Sequence, residues 1–500
     1  MNRSAEAAVA ASTEAASRVR IGPAPLVSLA VALAGALGSL AVSRGLFDPD
    51  YFWHIATARL IIQTGSIPRT DPFSFTWAGE PWVPDQWLAE VAMHGLVGWV
   101  GLAGALFAFG VVAAVAVILV AAGTHTAGAT SAGVVIAAVL TAAAVMPQAT
   151  LRPQVLSMVM LAVELYVLLT VSPQRLARAA VLPPLFVLWA NTHGFYVIGL
   201  GVGLVYLIAT LLRATPMAPR RWTVVAIGLA SVVACFATPS GPAGVVYSLS
   251  FADTGDWGAQ NIAEWQSPDF HDPFAWPFLL VLLAVAWRGG AGAPGWVRVT
   301  ALTGCVLGLL AWRSIAPGVL LALPAVAWSI RVSSPPVRRP AVGRRWLEFG
   351  AAIIVAVVVS LVAFVRFDAG RQPSAAQFPV AGVEWLKAND PDARVLAHYG
   401  WGGYVIERLY PFGGRVFVDG RMHKYAPEVV EDYARIVDVA PGWETLVDRY
   451  LVEAMLMPAD ALLARGPAAA AGWCEAFRDD TQVLLRPDCP AASAYGGTTR

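Results

Sequence analysis

Charge is what this sequence has least of. Charged residues fill 13% of its 500 positions, against roughly a quarter in soluble domains, and the mean hydropathy is +0.61. That excludes a disordered, collagen-like or cytosolic globular chain and defines a polytopic α-helical membrane protein. A net charge of +1 leaves no basic field, so nucleic acid is not a partner. The 4 cysteines include no CxxC pair and no Cys/His ligand spacing, which argues against a zinc or iron–sulfur centre. No internal repeat is visible, and solenoids are out.

What the chain does have is long apolar runs. An Ala/Ser-rich tail, 1–23, carries Arg3, Arg18 and Arg20 ahead of the run from Ala24 to Ser43, which is long enough to span a bilayer. Ala41-Val42-Ser43 looks like a small-residue cleavage site, but the run exceeds a usual signal-peptide core, so an uncleaved anchor is expected. Further runs lie at 101–121, 131–147, 154–171, 180–190, 195–212, 222–238, 273–287, 299–311, 315–330 and 347–365, eleven in all. Those at 180 and 299 are short, and each could be half of one bent helix with its successor. Only if both are separate spans do the loops with Arg175 and Arg178, with Arg213, Arg220 and Arg221, with Arg288 and Arg298, and with Arg331 to Arg345 all fall on the N-terminal side. The expectation is therefore about 11 transmembrane helices, N-terminus cytoplasmic and C-terminus outside. The stretch from Leu88 to Ala122 is long for one helix and leaves room for an interfacial piece.

This divides the chain into a transmembrane domain at 24–365, with a first outer loop at 44–87, a linker at 366–376, a small C-terminal extracytoplasmic α/β domain at 377–490 and a tail at 491–500. In that last domain Arg394 to His398 and Arg415 to Asp419 read as strands, and Val380 to Ala388 and Ala426 to Val437 as helices. Gly400, Gly402 and Gly403 mark a turn or a close backbone approach without forming a nucleotide-binding GxGxxG. Cys474 and Cys489 are expected to form a disulfide, since both fall in the outer domain while Cys235 and Cys305 fall in spans. Two free thiols are the alternative.

Loop one opens Phe47-Asp48-Pro49-Asp50-Tyr51-Phe52-Trp53-His54 and continues as an amphipathic helix through Ile62. Asp48 before Pro49 also reads as a helix cap. Asp50 has less structural excuse, and it shares a helix face with His54. Two carboxylates and an imidazole would converge there, able to hold a divalent cation or to take a proton from a hydroxyl. Glu164 lies deep in its span and reads as structural. In the loop from Thr238 to Asp272, acids alternate with Trp257 and Trp265, a sugar-binding pattern, and Glu264-Trp265 is the pair expected to line a cavity. Asp419-Gly420-Arg421, with His423 and Tyr425 beyond, is a strand-end turn or a contact to the mouth of that cavity.

An acidic motif in the first outer loop, many spans and a C-terminal outer domain resemble the GT-C superfamily of membrane glycosyltransferases. Asp48 to His54, then Gly65-Ser66-Ile67-Pro68, Asp71-Pro72-Phe73-Ser74 and Gln86-Trp87-Leu88, are similar to bacterial GT-C-like membrane proteins, with echoes at Trp189 to Gly194 and Val416 to Arg421. The resemblance implies an inverting sugar transfer from a polyprenyl-phosphate carrier at a bacterial-type inner (plasma) membrane. In it Asp48 and Asp50 match the catalytic motif, as general base or as metal holders. The cofactor stays unknown; a divalent cation, if used, would sit on Asp48, Asp50 and His54. The chain lacks a WWDYG-type signature, which favours a single sugar moved to lipid, glycan or protein over a preassembled glycan moved to asparagine. A polyprenyl-phosphate partner needs a cationic clamp, for which Arg152, Arg313 and His193 sit on outer turns, with headgroup snorkelling as the alternative. His54, Glu264 and Trp265 would line the substrate cavity. A non-enzymatic transporter or an assembly scaffold for envelope polysaccharide is the competing class, but ionisable residues gathered at one face, rather than at the midplane, favour an enzyme.

Overall fold

In the computed structural model the described residues are 23–250, 261–330, 375 and 377–487. The apolar runs become helices: α1 (Pro23–Arg44), α2 (Asp50–Thr64), α3 (Trp87–Thr126), α4 (Ser131–Val145), α5 (Pro153–Thr170), α6 (Leu182–Ala190), α7 (Tyr196–Leu211), α8 (Arg221–Ala234), α9 (Pro242–Ser250), α10 (Trp276–Arg288), α11 (Gly295–Leu310) and α12 (Ile315–Ser329). Ten of the eleven expected runs coincide with one of them, and the run at 347–365 lies outside the described residues. Among the described residues three helices are long and apolar enough to cross a membrane: α3, Ser131–Gln148 and α5. The 9 residues of α6 reach about 14 Å, half of a hydrocarbon core, so α6 does not cross alone. The 40-residue α3 is broken at Gly101, whose φ of 72° and ψ of 172° interrupt the ladder and set off an initial piece.

Helices in lipid gain little from apolar burial against each other, so close backbone approach matters more. A Cβ on Gly110 would lie 2.4 Å from the Leu37 carbonyl oxygen, so α1 and α3 touch backbone to backbone there. Gly304 and Gly318 bring α11 and α12 together in the same way.

The C-terminal domain comprises α13 (Val380–Asn389), β1 (Arg394–Ala397), α14 (Tyr399–Leu409), β2 (Arg415–Val416), α15 (Pro427–Val437), α16 (Trp443–Arg449), β3 (Ala454–Pro458), β4 (Cys474–Arg478) and β5 (Gln482–Arg486). Its sheet runs β2-β1-β3-β5-β4, with β1 parallel to both neighbours and β5 antiparallel to both of its own. Loop one extends this sheet. Phe75 N–H donates to the Val416 carbonyl at 3.0 Å and Val416 N–H to the Phe73 carbonyl at 3.1 Å, with a parallel bridge at Ser74. The side chains of Phe75 and Trp77 pack against the domain's core, and Phe52 of α2 meets Phe378 and Tyr404 edge-on at 4.9 and 5.0 Å. Loop one is thus built into both parts of the molecule. The strand expected over 415–419 ends at Val416, and Phe417 and Val418 beyond it are buried in the core of the C-terminal domain. Cys474 is disulfide-bonded, Cys235 and Cys305 are free and buried, and Cys489 lies outside the described residues.

Candidate active site

Three short turns and the start of α2 assemble the site. Pro153 begins α5 and holds Arg152 in extended backbone, φ −135° and ψ 148°, as a residue before proline prefers. Glu264 sits in the tight turn Ala263–Trp265 and Arg313 in the turn Trp312–Ser314. These turns are tied together: Trp312 N–H donates to the Gln266 carbonyl at 2.8 Å, and the Gln148 amide donates to the Trp312 carbonyl at 2.7 Å.

Arg152 lies at the centre. Its Nε pairs with Asp48 Oδ2 at 3.0 Å, its Nη1 donates to Glu264 Oε2 at 2.6 Å, and its Nη2 donates to Asp50 Oδ2. Arg313 approaches the other oxygen of Glu264 at 3.7 Å and lies over the Trp265 ring at 4.4 Å and the Phe195 ring at 5.6 Å. Arg152 Nε, Nη1 and Nη2 are therefore engaged by carboxylates, whereas Arg313 has one long ion pair and two aromatic faces. Asp48 is 4% exposed, and its Oδ1 also accepts the Asp50 backbone N–H at 3.0 Å. The capping role and the site role thus coexist in Asp48. Asp50 Oδ1 accepts from Trp53 Nε1 at 3.0 Å.

With three carboxylates against two guanidinium groups, the cluster carries a formal charge of −1. Burial, only partly offset by Arg152, pushes the Asp48 carboxyl up to about 7, and burial raises Asp50 as well. Glu264 goes the other way, to about 2, because Arg152 and then Arg313 outweigh its burial. The two aspartates are thus shifted toward their protonated forms, and Glu264 toward its ionised form.

His54 does not join this cluster. Its Nδ1 pairs with Glu90 Oε1 at 2.9 Å, both side chains being buried, and its ring lies tilted by 37° against that of Trp53, the centroids 3.6 Å apart. Burial, with Arg152 next, holds the imidazole well below its ordinary value. The expected trio of Asp48, Asp50 and His54 is corrected to an aspartate pair on Arg152 and a separate His54–Glu90 pair. His193 accepts the Phe195 backbone N–H through Nδ1 at 3.2 Å, close to the ring under Arg313. Burial, then Arg313 and Arg152, keep it neutral. Asp85, which the motifs did not single out, has its Oδ2 buried without a hydrogen-bond partner, and burial raises it to about 7.

The C-terminal domain closes over the acids. A Cβ on Gly420 would lie 2.1 Å from Asp50 Oδ1, and one on Gly403 2.7 Å from the Pro49 carbonyl oxygen. Gly402 and Gly403 are helical rather than in a turn, yet the close approach read from their spacing is present. Behind Gly420 lies a buried ion network. Arg421 bonds Asp419 through Nε at 2.8 Å and Nη2 at 2.7 Å, and its Nη1 pairs with Asp71 Oδ1 of loop one at 3.1 Å. Lys424 Nζ pairs with Asp71 Oδ2 at 2.5 Å. Arg421 also packs on Trp82, Phe73 and Trp53 at 4.5, 5.0 and 5.7 Å, and His423 bonds Tyr247 of α9. Among the described residues, no three His, Cys, Asp or Glu converge as a metal cage.

No family model matches this sequence, and no curated protein does. Among solved structures the fold is similar to the oligosaccharyltransferase of Archaeoglobus fulgidus tethered to an acceptor peptide, with a TM-score of 0.55, 10% identity, and cover of 87% of this chain and 69% of that one. A second structure, archaeal AglB from the same organism with an inhibitory peptide and a dolichol-phosphate, gives 0.53 at 10% identity, covering 89% and 70%. ArnT from Cupriavidus metallidurans in the apo state gives 0.48 at 13%, covering 92% and 97%. At such identities the likeness concerns the fold alone.

Proposed function

We propose that the protein is a membrane glycosyltransferase that moves a sugar, with inversion, from a polyprenyl-phosphate donor to an envelope lipid, glycan or protein. The observation that carries this is the buried aspartate pair, seated on Arg152 where the helical body meets the C-terminal domain, in a fold shared with an oligosaccharyltransferase that holds a dolichol-phosphate. Asp50, more exposed than Asp48 at 15% against 4%, faces the acceptor. The acceptor oxygen attacks the anomeric carbon while its proton passes to the aspartate pair, and the phosphate leaves with the electron pair of the broken C–O bond. Arg313 takes that phosphate, having a planar fork of donors suited to it that Glu264 engages only at 3.7 Å. The site opens on the extracytoplasmic face, with the N-terminus cytoplasmic.

Asp50→Asn keeps the size and removes the charge. Transfer from a polyprenyl-phosphate sugar by the reconstituted protein should fall by about 100-fold or more, the lower range of general-base effects, with thermal unfolding little changed. Asp48→Asn should cost less, because asparagine still caps a helix start. Full transfer by both variants would remove loop one from the mechanism. Absence of transfer by well-folded wild type from every lipid-linked sugar tried would favour a transporter or scaffold.

A further inference from the structure

A divalent cation, were one used, would by the loop-one motif sit on Asp48, Asp50 and His54, and the residues do not fit one. His54 is committed to Glu90 at 2.9 Å. The space between the acids is filled by the Arg152 side chain, whose three nitrogens each meet a different carboxylate. The oxygens consequently lie around the edges of a guanidinium plane instead of pointing at a common centre, and no cage is formed among the described residues. A divalent ion would need them drawn in to roughly 2.0–2.6 Å from one point. Gln148 and Trp312 fix the turns that carry Arg152 and Arg313, and Gly420 blocks Asp50 from retreating, so the spacing is set by neighbours on three sides.

We propose that Arg152 is the resident cation of this site, filling with a fixed guanidinium the place that a divalent metal ion would otherwise take among Asp48, Asp50 and Glu264. The assignment rests on the transferase reading only for its activity arm, since ion binding is measured without substrate. Arg152 acts as a positioning residue: it offsets part of the charge of the acids and holds the aspartates in one orientation. A fixed side chain has a fixed affinity, so the site keeps its charge balance whatever the ambient metal concentration.

The test titrates Mn²⁺ into the full-length protein in nanodiscs, followed by electron paramagnetic resonance, with thermal unfolding in EDTA alongside. The wild type and Asp50→Asn should bind Mn²⁺ equally weakly, and EDTA should leave wild-type unfolding unchanged. Arg152→Ala leaves three facing carboxylates, and it should bind Mn²⁺ saturably and be stabilised by it. Arg152→Lys restores a cation and should not bind. Saturable binding by the wild type that Asp50→Asn abolishes overturns the proposal, as does a folded Arg152→Ala protein that ignores Mn²⁺. If Arg152→Ala does not fold, the wild type and Arg152→Lys decide. Where transfer is measurable, a loss of about 10-fold or more on chelation, typical of a disturbed metal site, restored by Mn²⁺, overturns the proposal while leaving the transferase standing. Absence of transfer with no Mn²⁺ bound to the wild type sinks the transferase reading and leaves the cation assignment intact.

Discussion

Replacing Gly420 by alanine tests the joint between loop one and the C-terminal domain. The added Cβ would stand 2.1 Å from Asp50 Oδ1 and 3.4 Å from Trp53 Nε1, whereas real Cβ atoms essentially never come within 3.0 Å of a neighbour. Something must give by about 1 Å. Asp50 is poorly placed to do so, since one of its oxygens is bonded to Trp53 at 3.0 Å and the other is held by Arg152. Breaking the Trp53 bond, or shifting the turn against the buried Asp419–Arg421 pair, corresponds to an overpacking cost of about 1–3 kcal/mol. A misplacement of about 1 Å at a reacting group also lowers rate by about 100-fold. Gly420→Ala should therefore unfold at lower temperature and lose transfer. Gly201→Ala, at a helical position where an added Cβ meets nothing within 4 Å, should do neither. Unfolding and transfer of Gly420→Ala indistinguishable from wild type would refute the contact, and with it the composite site. Lower stability with full transfer would separate the joint from the chemistry.

The buried network behind Gly420 predicts a pH-dependent cost. Asp71→Asn leaves two cations facing one carboxylate and should cost about 3–5 kcal/mol by chemical unfolding. Burial, with Arg421 next, has already lowered Lys424 to about 7. A lowered amine binds fewer protons folded than unfolded, so native stability rises from pH 7 toward 10.5. The Asp71→Asn penalty should shrink over the same range as Lys424 sheds its proton, and a constant penalty from pH 6 to 9 would contradict this. The raised Asp48 carboxyl, at about 7, predicts a transfer rate that climbs with pH through about 7 and then levels, because the proton acceptor must first be ionised. A rate flat from pH 5 to 8 would exclude the aspartate pair as acceptor. Arg313→Lys removes the planar fork and should raise KM for the lipid-linked donor with a smaller effect on kcat; an unchanged KM would take Arg313 out of donor binding.

Much of the helical scaffold was legible because its signal is one-dimensional. An apolar run long enough to cross lipid is visible without knowing what it packs against, and ten of the eleven runs coincide with helices. The same holds for Asp48, Asp50, Arg152, Glu264 and Arg313, since a charge next to an apolar run is costly and stands out wherever the fold takes it. Glu90 gave a similar signal, an acid in the first turn of an apolar helix, and it went unread. Lys424, among other charges of a soluble domain, gave none.

Partner choice was decided only in three dimensions. Spacing of four put Asp50 and His54 on one helix face, but a shared face does not say which side chains from other elements meet it. Packing gave His54 to Glu90, 36 residues on, and Asp50 to Arg152, 102 residues on. It made Arg152 the centre of the acids, because the α4–α5 turn delivers it between loop one and the turn of Glu264. It also bridged Phe73 to Phe75 of loop one to the edge of the C-terminal sheet, since the open hydrogen-bonding edge at Val416 exists only once that sheet has formed. Composition and local spacing determined which elements form and which residues carry charge. The convergence of those charges depends on long-range packing, in which each contact is conditional on the others.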